Sequence, residues 1–95
     1  MITLMDLREN LDAMPEQDLW ELTQSAKHKS TRHCAEVVFP DKPRGFTTAY
    51  RQLMTYAELK EQAMRWRRIG KITSAMQNED QCERIYNRLP DYAKW

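Results

Sequence analysis

A chain of 95 residues, 41% hydrophobic and 31% charged, has room for one domain with one modest core; it is too apolar to stay disordered and too polar to lie in a membrane. The formal net charge of +1 gives no global electrostatic case for DNA or an anionic membrane, so any such case must come from where the charges sit. No apolar run approaches the roughly 18–20 residues of a membrane span, and the first six residues turn acidic without a basic region and an apolar stretch, which points to a cytoplasmic protein.

Two cysteines, Cys34 and Cys82, make no disulfide framework and are expected to stay reduced. Only two glycines are present, which suits helices better than a many-stranded sheet.

Leu4, Leu7, Leu11 and Met14 recur at three- and four-residue intervals and predict a first helix over 3–14. Thr3 and Asp6 resemble a capping box at its start. Pro15 then opens a second helix, over 15–30, with Glu16 and Asp18 near its positive end and Lys27, His28 and Lys29 near its negative end. Leu19, Leu22 and Ala26 form its apolar stripe, with Trp20 beside it. The stretch 30–39 is ambiguous. Val37, Val38 and Phe39 favour a strand, while Arg32, Ala35 and Glu36 tolerate a helix, and the balance leans to helix. Pro40, Asp41, Pro43 and Gly45 mark a loop over 40–46.

The second half is more strongly patterned. A helix over 47–69 can start at Thr47 or Thr48, or later at the capping box Thr55-Tyr56-Ala57-Glu58. Leu53, Tyr56, Leu59, Ala63 and Trp66 share a face. Gly70 interrupts. Ile72, Ala75, Met76, Cys82, Ile85, Tyr86 and Leu89 continue as a stripe over 72–89, until Pro90 ends it. Tyr92 and Trp95 are expected to fold back onto the helices. The expected fold is therefore all-α: a bundle of about four helices closing in an antiparallel hairpin, with at most one short extended segment near 34–39.

That hairpin resembles a single tetratricopeptide unit. Ala63, Gly70 and Ala75 match the small residues at the helix crossing and turn, Trp66 takes a large-residue position, and Pro90 falls about three residues beyond the family's proline. The resemblance covers about a third of the chain, shows no second copy, and implies similar hairpin packing. As a compact chain rich in Met, Arg and Trp, it also resembles accessory proteins of temperate phages and prophages of enteric bacteria. That resemblance implies a small protein that binds and redirects a host, rival or helper-phage protein.

Side chains that could carry chemistry are sparse. His28, His33, Cys34 and Cys82 are the nitrogen and sulfur ligand candidates, and His28 and His33 have the spacing of a half-site without a cysteine pair beside it. No G-x-S-x-G, Walker or dinucleotide glycine pattern is present. Glu79 interrupts the apolar stripe and reads as a partly exposed residue at its edge. The expectation is a protein that is no enzyme and takes no cofactor or metal.

The basic clusters are more informative. Arg65, Arg67, Arg68 and Lys71 surround the hairpin turn with Trp66 among them, and Lys27, His28, Lys29, Arg32 and His33 form a second group. Three readings are open for the turn cluster: docking onto an acidic protein surface, contact with nucleic-acid phosphates, and a solvated face that satisfies helix-terminal carbonyls. Trp20 and Trp95 are hard to bury in so small a core, and Trp20 joins the candidate partner-binding set. Met5, Met14, Met54, Met64 and Met76 read as core filler. The expected function is protein binding, as adaptor or inhibitor; a small DNA-binding regulator is the alternative, and a residual apolar face would permit a homodimer.

Overall fold

The structure, a computed structural model, describes residues 4–8 and 11–95, with Met5 described by its backbone alone. The expected Thr3 cap and the place of the Met5 side chain lie outside the described residues. Four α-helices follow in chain order: α1 (Glu16–Lys27), α2 (Thr31–Val38), α3 (Phe46–Arg68) and α4 (Ile72–Arg88). Short 3-10 segments stand at Leu4–Arg8, Leu11–Ala13 and Asp91–Ala93, and no strand occurs among the described residues. None of the helices is long and apolar enough to cross a membrane.

The first segment differs from the α-helix predicted over 3–14. It consists of two tight 3-10 pieces, yet Leu4, Leu7, Leu11 and Met14 are all buried, as their pattern requires. In a 3-10 helix residues three apart eclipse one another. The spacings Leu4–Leu7 and Leu11–Met14 are therefore met by the tighter winding as well as by an α-helix.

α1 starts after Pro15, whose carbonyl accepts the first helical bond from the Leu19 N–H at 3.1 Å. It ends at Lys27, three residues short of the expected boundary, and a new helix begins. Ser30 caps α2, its hydroxyl accepting from the His33 N–H at 3.4 Å. Residues 34–38 are thus helical, not extended. Burial of Cys34, Ala35 and Val38 on one face outweighs the strand preference of the two valines. Phe39 leaves the helix with a fully buried ring.

Gly45, in the left-handed region at φ 75°, turns the chain into α3, which begins at Phe46. The capping box at Thr55 therefore lies inside a helix. The Thr55 hydroxyl donates back to the Arg51 carbonyl at 2.9 Å instead of capping a terminus. α3 is the axis of the molecule: α1, α2 and α4 all pack on it, α4 most extensively. The core gathers Leu7, Leu11, Leu19, Leu22, Phe39 and Leu53 around α3, together with Cys82 of α4 and Leu89 just past its end.

The tail folds back as expected. Trp95 stacks on Tyr86 with ring centroids 4.7 Å apart and meets the Tyr56 ring edge-on at 5.0 Å, while Tyr92 meets Phe39 edge-on at 5.4 Å. Its indole N–H also donates to Asp12 at 3.2 Å, which joins the last turn of the chain to the N-terminal segment.

Candidate functional site

The turn between α3 and α4 is built by the sequence around Gly70. Gly70 takes φ +86°, its N–H donates to the Arg67 carbonyl at 3.2 Å, and the Lys71 N–H donates to the Trp66 carbonyl at 2.8 Å. This is the Schellman arrangement, in which a left-handed residue just past the helix lets two orphan carbonyls be satisfied. The Lys71 ammonium lies over the Trp66 ring, 5.3 Å from its centroid. Both side chains therefore take part in closing the turn.

The arginines are engaged within the molecule. Arg67 holds Glu79 of α4 through Nε at 2.6 Å and Nη2 at 2.7 Å. Arg68 holds Glu16 of α1 through Nε at 3.3 Å and Nη2 at 2.9 Å. Arg65 reaches back one turn to Glu61 at 3.4 Å. The hydrogen bond from Arg67 holds the Glu79 carboxyl below its ordinary range, and the bond from Arg68 does the same for Glu16. Glu79 is thus a half-exposed cross-link between the hairpin helices, and Arg68 ties the far end of α3 to the start of α1.

The six residues expected to form one partner-binding set divide between two places. Trp20, Arg65 and Arg68 line a hollow of about 390 Å³ between α1 and α3, with Glu16, Gln17 and Glu61 on its walls. Trp66 and Lys71 belong to the turn, and Arg67 faces α4 through Glu79. Trp20 is well exposed, at 46%.

No protein-family model, curated protein or solved structure matches the chain, so the site is read from its geometry.

An apolar patch sits beside the turn, and the stripe pattern assigns two of its residues, Ile72 and Met76, to the core. Ile69, Ile72 and Met76 are exposed at 53%, 45% and 57%, and with Trp20 they are the large hydrophobic side chains left open among the described residues. Ile72 and Met76 stand one turn apart on the same face of α4. Their exposure corrects the expectation that they are core. The main neighbour of α4 is α3, and only Ala75 and Cys82 within α4 reach full burial. Sequence periodicity marked an apolar face here, but not that it stays exposed among the described residues.

Two other clusters bear on chemistry. Asp12 accepts hydrogen bonds from the Tyr56 hydroxyl and the Trp95 indole, and its carboxylate lies 3.6 Å from the Lys60 ammonium. Burial pushes the Asp12 carboxyl up, but these partners outweigh it and hold it below its ordinary range. Cys82 is buried and donates to the Tyr56 carbonyl at 3.6 Å; burial pushes its thiol up to about 11, which makes it a poor nucleophile at neutral pH. Among the described residues no three His, Cys, Asp or Glu side chains gather as metal ligands, and His28 and His33 are both solvent-exposed.

Proposed function

We propose that the chain is a non-enzymatic protein-binding adaptor or inhibitor that docks through the end of the α3–α4 hairpin. The observation that carries this reading is the exposed patch of Ile69, Ile72 and Met76 at that end. Exposed apolar side chains grouped on a surface are a recurrent mark of contact with another protein. The occupant that fits is a protein surface with an apolar depression rimmed by carboxylates. Lys71 is close at hand, and Arg67 and Arg68 each use Nε and Nη2 internally, which leaves both Nη1 groups open among the described residues. Through the resemblance to phage accessory proteins, a bacterial host protein or one from a rival or helper phage is the first partner to seek.

Nucleic acid fits this surface less well. The three arginines already face three carboxylates, so phosphates would have to displace them, and the apolar patch has no part in a phosphate contact. The test is affinity capture from an enteric bacterial lysate by the full chain and by Ile72→Ser/Met76→Ser. Both positions are exposed, so the variant should melt with the parent. A specific protein retained by the parent and lost by the variant is the expected result. Retention by both chains, or recovery of nucleic acid alone, overturns the reading.

A further inference from the structure

A second hollow lies between the end of α1, the start of α2 and the middle of α3, about 27 Å along α3 from the hairpin end as measured from Arg51 to Ile69. It encloses about 350 Å³, and Lys27, Lys29 and Arg51 stand on its rim. These three cations differ from the paired arginines of the chain. Arg32 pairs with Glu36 at 3.0 Å, and Arg65, Arg67 and Arg68 pair with Glu61, Glu79 and Glu16. Lys27, Lys29 and Arg51 meet no carboxylate at ion-pair distance among the described residues. The basic run from Lys27 to His33 is thus divided by the fold: Arg32 is neutralised on its own helix, and Arg51 is brought from α3 to join the two lysines.

Helix electrostatics account for the two lysines. Lys27 ends α1 and the Lys29 N–H still donates to the Ala26 carbonyl, so both stand where a cation offsets the negative end of the dipole. Arg51 lies inside α3, where no helix end asks for a charge. The walls add the Thr31 hydroxyl, which donates to no protein group among the described residues, and the apolar atoms of Ala26 and Met54. One carboxylate, Glu58, also borders the hollow, two turns further along α3 than Arg51 or about 10 Å away.

We infer that this hollow binds a phosphate group carried by a small molecule, seated between Lys27, Lys29 and Arg51. The guanidinium offers paired donors to two phosphate oxygens, and the ammonium groups supply charge from the opposite rim. The volume falls at the small end of ligand pockets, enough for a phosphate with a compact organic body against Ala26 and Met54. The site is independent of the hairpin end and of the docking proposed there.

Amide NMR spectra of the full chain, titrated with inorganic phosphate and separately with phenyl phosphate, test it. Saturable shifts confined to residues 27–31 and 51–55 are expected, stronger at pH 7.5 than at pH 5.5 because the dianion of a phosphate monoester such as phenyl phosphate forms near pH 6. Lys27→Gln, Lys29→Gln and Arg51→Gln should each weaken binding about tenfold. Arg67→Gln/Arg68→Gln, which removes twice as much positive charge elsewhere, should leave it unchanged. Shifts that never saturate, or equal weakening by the Arg67/Arg68 variant, overturn the inference. A short DNA duplex that moves the same amides and displaces phenyl phosphate would assign the surface to nucleic acid and overturn it as well.

Discussion

The ion pair of Arg67 with Glu79 shows how a residue can look free in sequence and be committed in the fold. Twelve positions separate the two, and Glu79 stands where it interrupts the apolar stripe of α4. The pair has a signature in acid. Glu79 has a folded-state pKa depressed below its ordinary value near 4.5. Its contribution to stability is therefore complete above that value and is lost as pH falls through the depressed one. Urea midpoints of the parent should fall between pH 5 and pH 3, and Glu79→Gln should flatten part of that fall. Parallel slopes for the two proteins would show that the pair adds nothing. Glu61 was equally hidden from sequence reasoning. It is buried on a helix face between residues of the apolar stripe, with Arg65 one turn on as its partner. An i, i+4 Glu–Arg spacing was the available signal, but that spacing is common on solvated helices and does not by itself indicate burial.

At the scale of elements, local chemistry explains where the helices stop. Gly70 at φ +86° ends α3 and directs the chain into α4, and a Cβ built there would meet no atom within 4 Å. Gly70→Ala therefore carries only the backbone penalty of the left-handed region, about 1 kcal/mol by urea unfolding. Gly70→Asn should cost less; a cost for Ala above about 3 kcal/mol would mean that the hairpin itself rearranges. The hairpin, the loop before it and the buried stripe of the first segment were legible because glycine, proline and spacing act locally. Two features were not. The 3-10 winding of the N-terminal pieces shares its three-residue spacing with an α-helix. The helix α2 depends on burial of Cys34, Ala35 and Val38 against other elements, which no local preference encodes. The basic residues of the candidate sites were visible as types, but their partners were not, since Glu16 and Arg68 meet across 52 positions.

For the molecule as a whole, closure depends on the last aromatic residue. Trp95 touches Tyr86 of α4, Tyr56 of α3 and Asp12 of the N-terminal segment at once. Each ring contact is worth about 1 kcal/mol and the hydrogen bond to a carboxylate about as much again, so Trp95→Ala should lower unfolding free energy by about 2–3 kcal/mol. A single cooperative transition at lower denaturant is the expected shape. A loss below about 0.5 kcal/mol would place the tail outside the cooperative unit.

The hairpin is unevenly anchored along its length. Its near half carries Leu53, Tyr56 and Cys82 into the core, while the far half buries little beyond Ala63, Glu61 and Ala75 and relies on half-exposed ion pairs. Regions with few buried apolar contacts open at lower free energy than the rest of a fold. The end of the molecule that would meet a partner is thus also the half of the hairpin whose amides should exchange with solvent more readily. Recognition there would involve ordering as well as contact: part of the binding free energy would go into holding the last turns of α3 and the first turns of α4 closed.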